Sequence, residues 1–268
     1  MISHQTSGLT IHRFASLQRF AGLVHGVSDR FGGVSEGGYE SLNMGLHCGD
    51  DPARVLENRR RFCEASGIDA TRLTAGAQVH GAQAAVVSDR DAGRGALDYS
   101  TAVPDVDALV CRCPNVPIVA LSADCPLVIM YDPAAAVAAV MHASWRSTAG
   151  GIAAATIDTM QQLGARAERI VAGIAPCVGV CCYEVRRDFV DIVTGSLEDA
   201  ESHLVHSGGR MFFNLPQAVA AELRRCGVSD GNIETAGICT SCGGRFYSYR
   251  ASGGRTGRFA AVVEISAA

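Results

Sequence analysis

Short apolar segments alternate with amphipathic or small-residue segments along the whole chain. Apolar runs of this length are typical of buried β-strands, and the amphipathic ones of helices. The pattern predicts strands over residues 22–27, 74–87 with an interruption near Gly81, 116–131, 137–141, 170–175, 211–215, 233–238 and 259–265. It predicts helices over residues 52–67, 148–163, part of 184–197, and 216–226. No linker separates these elements, so we expect one domain over residues 1–268, of the α+β or α/β class.

Local sequence signals define the bounds of one predicted helix and the position of the most buried strands. Asp51-Pro52 is typical of a helix start, because proline fits the first helical turn, and Gly67 is typical of a helix end. The most apolar part of the chain, residues 116–131 and 137–141, reads as two buried strands joined by the turn Asp132-Pro133. We therefore place the centre of the core there.

The composition excludes one group of reaction mechanisms, those that need a lysine. All 23 basic residues are arginine, and the sequence contains no lysine. This excludes mechanisms that need a lysine, such as the Walker phosphate loop, the kinase strand lysine, a Schiff base or a Ser-x-x-Lys acyltransferase. Any phosphate chemistry must rest on arginine, backbone amides or a metal ion.

Charge and hydropathy indicate an ordinary folded enzyme. The chain of 268 residues has a net charge of −4 and is 48% hydrophobic, so it has enough apolar material for a core. The mildly acidic balance predicts no nucleic-acid partner, and no segment is long and apolar enough to predict a membrane span. The first residues lack a basic and an apolar signal region, so we expect a cytoplasmic protein.

Eleven cysteines do not predict a disulfide framework, because their number is odd and no export signal is visible. Cys239 and Cys242 form a single C-x-x-C, with no second such pair to complete a four-cysteine zinc site. Cys181 and Cys182 are adjacent. We expect most of the cysteines to be small buried hydrophobic residues.

Three polar clusters interrupt the apolar strands: Gln78-Val79-His80-Gly81, Ser122-Ala123-Asp124-Cys125-Pro126 and His142-Ala143-Ser144-Trp145-Arg146. Two histidines and a cysteine at strand ends are suitable zinc ligands, and three protein ligands leave a fourth position open for catalysis. The same residues also suit a nucleophilic pair in which Cys125 attacks and a histidine acts as base. Burying Asp124 in so apolar a run requires a hydrogen-bonding partner.

Arginine and histidine supply the remaining candidates. Arg30, Arg59, Arg146, Arg250 and Arg258 stand beside glycine, aromatic or small residues, where a guanidinium can bind phosphate or carboxylate. We expect His25 and His47 to be in solvent. Residues 33–37 match G-x-S-x-G, but without the strand and helix that this nucleophile motif needs, so we interpret the match as chance.

The chain resembles the YfiH/laccase-domain family over nearly its whole length. The family was formerly called polyphenol oxidases and is now described as zinc-containing purine nucleoside phosphorylases with adenosine deaminase activity. The motifs that carry the resemblance are Asp29-Arg30 with Gly32-Gly33-Val34-Ser35, Ser41-Leu42-Asn43, Glu57-Asn58-Arg59, Gln78-Val79-His80-Gly81, Asp107-Ala108-Leu109, Ala123-Asp124-Cys125-Pro126, His142-Ala143-Ser144-Trp145-Arg146, Cys177-Val178-Gly179 with Tyr183-Glu184-Val185, Cys239-Thr240, and Tyr249-Arg250 with Thr256-Gly257-Arg258.

The resemblance implies a fold and a metal site. The fold is α+β, a single domain of packed mixed β-sheets flanked by helices (CNF1/YfiH-like). The family's metal ligands correspond to His80, Cys125 and His142, with Zn²⁺ as the cofactor and Cu²⁺ as the other candidate. The chain departs from the family at Ser144 and Ser147, which flank Trp145-Arg146 where the family has glycines, and at Ala175 before Pro176.

The resemblance also implies the chemistry. We expect Cys125, Asp124 and Arg146 to be catalytic, and we expect the substrate contacts to be Arg30, Asn43, Arg59, Gln78 and Arg250. The substrates implied are purine nucleosides (adenosine, inosine and methylthioadenosine) and phosphate. The alternatives are a copper-dependent polyphenol oxidase, a hydrolase of cell-wall precursor amides that uses zinc or Cys and His, and a non-enzymatic accessory protein. The oxidase is disfavoured because the chain has no H-x-H pair of the multicopper type.

Overall fold

Two six-stranded β-sheets lie face to face in the computed structural model, which describes residues 1–267. In chain order the strands are β1 (Ile2–Thr6), β2 (Leu9–Arg13), β3 (Leu23–Ser28), β4 (Thr74–Ala75), β5 (Ala84–Val87), β6 (Ala108–Cys111), β7 (Ile118–Ser122), β8 (Leu127–Asp132), β9 (Val137–His142), β10 (Val171–Ile174), β11 (Glu184–Val185), β12 (Leu204–Ser207), β13 (Arg210–Phe213), β14 (Ile233–Thr235) and β15 (Phe259–Ile265). The helices are α1 (Ala15–Gln18), α2 (Pro52–Ser66), α3 (Trp145–Ala149), α4 (Ile152–Gln162), α5 (Arg187–Ser196), α6 (Leu215–Arg225), α7 (Thr240–Gly243) and α8 (Tyr249–Ser252).

The sheets mix parallel and antiparallel pairs. The first has the order β1-β2-β3-β15-β7-β4, the second β14-β10-β8-β9-β6-β5, and a small third one β11-β13-β12. Most neighbours are antiparallel, but β4 runs parallel to β7, β5 to β6, and β14 to β10. This arrangement confirms the α+β prediction. None of the helices between residues 1 and 267 combines the length and apolarity that a membrane crossing requires.

The alternation along β15 shows how the layers pack. Phe259, Ala261 and Val263 belong to the core between the two large sheets. The intervening Ala260 and Val262 face the opposite side, in the cluster that contains Phe62 of α2. Because strand side chains alternate, one strand serves two cores. On the far side of the second sheet, α4 and α6 close a further core, so the order of layers is helix, sheet, sheet, helices.

The predicted helix over residues 52–67 is confirmed. The Asp51 side chain caps the first turn by accepting the Ala53 N–H (2.9 Å), and Pro52 occupies the first helical position. Gly67 ends the helix at φ 75°, a left-handed conformation that glycine adopts without a steric penalty. The predicted strand over 259–265 matches β15 residue for residue.

The prediction of one strand over residues 116–131 is wrong. The chain forms β7 in the first sheet, crosses through Ala123–Pro126, and continues as β8 in the second sheet. Asp124 has φ 104°, outside the range of a strand, and Pro126 has no N–H for a ladder. The Ser122 hydroxyl closes the turn by donating to the Cys125 carbonyl at 2.7 Å. The polar cluster is therefore the crossing point between the sheets.

Two other predicted elements are divided. The helix over residues 148–163 is two helices, α3 and α4, broken at Gly150-Gly151, where Gly151 has φ 86°. The interrupted strand over 74–87 becomes β4 in the first sheet and β5 in the second. In both cases the interruption is a change of direction, and the loop between β4 and β5 carries His80.

Candidate active site

Two crossings between the sheets and the end of β9 bring His80, Cys125 and His142 together. Their ligand atoms all lie within 4.8 Å of one another. Leu127 pairs with His142 across β8 and β9, which sets Cys125, two residues before Leu127, beside His142 at the end of the second sheet. The rings of His80 and His142 lie 5.0 Å apart between centroids and are tilted by 75°. The fold thus collects the three residues that the sequence grouped as metal ligands.

Asp107 holds this arrangement, and sequence reasoning assigned it no role. Its Oδ1 accepts from the His80 N–H (3.0 Å) and from His142 Nδ1 (2.8 Å). Its Oδ2 accepts from the N–H groups of Val79 (3.1 Å) and Gly81 (2.8 Å). A single buried carboxylate therefore fixes the loop of one histidine and the ring of the other. The signal in the sequence was a carboxylate directly before the apolar strand β6.

The hydrogen bond to Asp107 also selects the histidine nitrogen available to a metal. With Nδ1 engaged by the carboxylate, Nε2 of His142 is the atom free to bind in the pocket. Burial alone would raise the pKa of Asp107, but the hydrogen bonds from His142 and from the amides of Gly81 and Val79 keep this pKa below its usual range. The carboxylate is therefore ionised at neutral pH.

Cys125 and His142 each stabilise the charged form of the other. Burial opposes charge on the thiol, but the neighbouring His142 and His80 lower the pKa of Cys125 to about 7. Burial likewise opposes charge on His142, but the Cys125 thiolate and Asp107 raise its pKa to about 9. A metal ion binds the deprotonated forms of both side chains and releases their protons. The chemistry of the three donors therefore fits a divalent cation.

A cavity of about 470 Å³ opens above the three residues. This volume is within the range of sites for small molecules, roughly 300–1,000 Å³. Its lining includes His47, Asp124, Tyr183, Tyr249, Arg250 and Arg258.

His47 is exposed, as predicted, and lies at the pocket, whereas His25 is buried and its Nε2 accepts the Phe14 N–H at 3.0 Å. The prediction for His25 is therefore wrong.

Asp124 lines the pocket, but its oxygens are already engaged. One accepts from the Thr240 hydroxyl (2.6 Å) and the other from the backbone N–H of Arg250 (2.6 Å). These two bonds explain how a carboxylate is tolerated in an apolar run. They tie α7 and α8 to the crossing between the sheets, so Asp124 positions Arg250 at the pocket.

Gln78 also lines the pocket with its side-chain amide engaged. Its Nε2 donates to the Leu121 carbonyl and its Oε1 accepts the Leu121 N–H, both at 2.8 Å. The amide thus extends the pairing of β4 with β7 by one step and fixes the loop that leads to His80.

Four predicted site residues are not brought to the cavity. Arg30 donates to the Glu40 carbonyl and lies over the Tyr247 ring, and Arg146 is exposed over Trp145. Asn43 is buried, and its Oδ1 accepts the Arg258 N–H at 2.8 Å, so it acts on the pocket only through Arg258. Arg59 is buried at 2% exposure. None of the four is among the residues that line the cavity.

Arg59 instead bonds to the backbone. Its Nε donates to the Met44 carbonyl (2.9 Å), and its Nη1 to the carbonyls of Gly95 and Ala96 (2.6 Å each). Burial lowers its pKa to about 10, so the guanidinium stays charged at neutral pH.

We expect Arg59→Gln to lower the free energy of unfolding by about 2–4 kcal/mol, because it leaves buried carbonyls without donors. Urea titration measures this loss. Below the unfolding transition, KM for substrates stays within about twofold of wild type, because the guanidinium lies outside the cavity. A large rise in KM in a fully folded Arg59→Gln protein would restore it as a substrate contact.

Comparison with known proteins gives a consistent set of relatives. Residues 24–266 match the family model described as "Multi-copper polyphenol oxidoreductase laccase". Purine nucleoside phosphorylase YlmD of Geobacillus stearothermophilus is 39% identical over 249 residues, which are 91% of this chain and 90% of that protein. Purine nucleoside phosphorylase SCO2081 of Streptomyces coelicolor is 37% identical over 90% of this chain and 95% of its own length.

Solved structures agree with the sequence relatives. The crystal structure of the Geobacillus YlmD superposes with a TM-score of 0.92 at 35% identity and covers 99% of both chains. The Bacillus licheniformis protein YfiH superposes with a TM-score of 0.88 at 29% identity and covers 97% of both chains. The likeness therefore extends over both sheets and the site between them.

Proposed function

The chain belongs to the multi-copper polyphenol oxidoreductase laccase family, and relatives of it are named purine nucleoside phosphorylases; we propose that it is a zinc-dependent purine nucleoside phosphorylase. The proposed substrates are adenosine, inosine and methylthioadenosine with phosphate, and the proposed second activity is adenosine deamination. The observation that carries the proposal is a cluster of three potential metal ligands, His80, Cys125 and His142, in the lining of a cavity that also contains two arginines. The proposed location is the cytoplasm, where thiols such as Cys125 stay reduced.

Arginines are the cations available to bind phosphate, since the chain has no lysine. Arg250 and Arg258 both line the cavity. Arg250 is held through its backbone by Asp124, and its Nη1 donates to the Glu184 carbonyl at 3.1 Å. Arg258 donates through Nη1 to the carbonyls of Thr256 and Gly257, which leaves its other guanidinium nitrogens free. Two anchored guanidinium groups in the lining of the cavity favour binding of a phosphate dianion.

Other residues of the cavity have proposed roles in binding the metal ion and the purine ring. His80, Cys125 and His142 would hold the zinc ion, and Asp107 orients His142. When bound, the ion supplies a Lewis acid that stabilises negative charge on oxygen. Tyr183 and Tyr249 offer aromatic surfaces for a purine ring, and the Arg250 guanidinium lies 5.3 Å from the Tyr183 ring centroid. Base and phosphate subsites therefore adjoin at Arg250.

An oxidase is less well supported by the donors present. Among residues 1–267, the groups of metal-ligating side chains are the trio His80, Cys125 and His142 and a separate set of four cysteines. The trio suits one ion, whereas oxidases of the multicopper type need several copper ions with many histidine ligands. Oxygen consumption with a phenol, in proportion to bound copper, would favour the oxidase.

One observation favours a second candidate, a cysteine hydrolase of amides such as those in cell-wall precursors. Cys125, His142 and Asp107 form a chain of contacts like that of a nucleophile, its base and an orienting carboxylate. In this case Cys125 attacks the carbonyl carbon and His142 protonates the leaving amine. Amide hydrolysis that persists after complete metal removal would identify this activity.

Arg250→Gln tests the phosphate subsite. We expect KM for phosphate to rise about 10- to 100-fold with a smaller change in KM for inosine, because a charged hydrogen bond contributes roughly 1.5–3 kcal/mol. The backbone N–H that Asp124 binds is retained. The matched control is Arg187→Gln on α5, whose side chain is 84% exposed in an ion pair with Asp191. Equal KM values for phosphate in the two variants would remove Arg250 from the subsite.

The reaction itself is tested by product analysis with and without phosphate. With inosine, the proposal predicts hypoxanthine and ribose 1-phosphate in equal amounts, and neither product without phosphate. With adenosine and no phosphate, it predicts inosine from the deaminase activity. Release of free base without phosphate would indicate hydrolysis and contradict the phosphorylase assignment.

A further inference from the structure

A second cluster of thiols includes Cys239, the neighbour of Thr240, whose hydroxyl donates to Asp124. Cys181 and Cys182 follow β10, and Cys239 and Cys242 stand at the start and within α7. Their four Sγ atoms all lie within 4.8 Å of one another. The sequence-based expectation that Cys239 and Cys242 lack a second pair is therefore wrong. The second pair is the adjacent Cys181-Cys182, about sixty residues earlier in the chain.

The backbone brings the two pairs together through specific contacts. Cys177 and Cys239 form a parallel bridge, in which the Cys177 N–H donates to the Ile238 carbonyl (3.2 Å) and the Thr240 N–H to the Cys177 carbonyl (3.0 Å). Gly179 then passes so close that a Cβ there would lie 3.2 Å from Cys239 Cβ and 3.3 Å from Cys181 Sγ. The close approach of the two segments thus favours glycine at this position, because a Cβ would push its neighbours apart by a few tenths of an ångström.

The sulfur separations match a single tetrahedral ion. Zinc–thiolate bonds of about 2.3 Å give a tetrahedron with edges of about 3.8 Å between sulfur atoms. Cys181 Sγ and Cys242 Sγ lie 3.7 Å apart, far beyond the ~2.05 Å of a disulfide. An iron–sulfur cluster spreads its thiolates over several irons, so its sulfur atoms lie farther apart than in this set.

We propose that Cys181, Cys182, Cys239 and Cys242 bind one zinc ion as a structural site, separate from the trio at His80, Cys125 and His142. Four protein ligands leave no open position, which distinguishes a structural from a catalytic zinc site. Cys181 and Cys242 are exposed, so the ion has a path of entry.

The proposed ion joins the two segments that form one wall of the cavity. The first segment supplies Val178 and Tyr183, and the second supplies Tyr249 and Arg250. Between them, the contacts at the pocket are the Arg250–Glu184 hydrogen bond and the stacking of Arg250 on Tyr183. The zinc ion would hold the base of this wall, as a disulfide does in a secreted protein.

The test is metal analysis of the full chain, purified anaerobically without added chelator. Wild type is expected to contain two zinc ions per chain, one for each cluster. Cys242→Ser and Cys181→Ser each lose one and keep the ion at the trio, and His80→Asn loses the other. The matched control is Cys226→Ser, a half-buried thiol at the end of α6 outside both clusters, which keeps both ions.

Cobalt substitution gives a second readout that does not depend on activity. Co²⁺ added to zinc-depleted His80→Asn protein is expected to produce the intense visible absorption of tetrahedral tetrathiolate cobalt, and none in His80→Asn/Cys242→Ser. Equal zinc content in wild type and in both cysteine variants would overturn the proposal. So would iron in place of zinc, or a Cys181–Cys242 disulfide in protein kept reduced. These results leave the phosphorylase proposal untouched, because that rests on the trio.

Discussion

His80→Asn is expected to lower kcat/KM for phosphorolysis about 10³-fold or more, because a Lewis-acid metal contributes several kcal/mol to such a reaction. His80 is one of three ligands whose atoms lie within 4.8 Å of one another. With only Cys125 and His142 left, the ion would be held by too few protein donors for a catalytic zinc site. The zinc content should therefore fall together with the activity.

We expect His80→Asn to lower activity without lowering the stability of the fold. The His80 side chain is exposed, and its residue has φ 61°, a left-handed conformation that asparagine tolerates better than most residues. The backbone N–H that donates to Asp107 is retained. The free energy of unfolding of the metal-free protein should change by no more than about 0.5 kcal/mol. The control His206→Asn, on the exposed strand β12, should keep full activity, and full activity in His80→Asn would remove the trio from catalysis.

Asp107→Asn is expected to lower zinc affinity and activity about 10- to 100-fold, the usual effect of removing the partner of a ligating histidine. The native carboxylate accepts four hydrogen bonds, from three backbone N–H groups and from His142 Nδ1. The NH₂ group of asparagine cannot accept a hydrogen bond. In either orientation of the amide, this group would lie against at least two of these donors, and their hydrogen bonds would be lost. If it faces His142, the imidazole must move its proton to Nε2, which then cannot bind metal.

Asp132→Asn is the matched control for Asp107→Asn. Asp132 is also a fully buried carboxylate, and it accepts from the N–H groups of Ala134, Ala135 and Arg166 and from the Arg169 guanidinium. It lies at the turn between β8 and β9, at the opposite end of β9 from His142. Both variants should lose stability in urea titrations, but only Asp107→Asn should lose zinc. Equal zinc affinity in the two variants would show that Asp107 is merely structural.

Local patterns predicted the individual elements well. The start and end of α2 follow from Asp51-Pro52 and Gly67, and β15 follows from an apolar run whose one polar residue is Glu264. The metal trio was also predictable, because histidine and cysteine in apolar strands are unusual enough to group before their contacts are known. In each of these cases the information lies within a few neighbouring residues.

Features that depend on the crossing between sheets were not predictable. The run over 116–131 contains Asp124 and Pro126, which interrupt a strand, but nothing in the sequence shows that its two halves enter different sheets. The same holds for Asp107, whose role depends on three amides and a ring from distant segments. The backbone contacts of Arg59 were not predictable either, because a guanidinium that satisfies backbone carbonyls looks, in sequence, like one that binds an anion. The sequence shows directly where residues with reactive side chains stand. It does not show which distant residues contact them in the fold.

The most direct measurement follows phosphate-dependent base release from inosine as zinc is restored to zinc-depleted protein. The account predicts no phosphorolysis without zinc and a rise with added zinc, with ribose 1-phosphate formed in equal amount to hypoxanthine. His80→Asn should show no recovery at the same zinc concentrations, because its trio lacks one ligand. Full phosphate-dependent activity in the zinc-free wild-type protein would contradict the account.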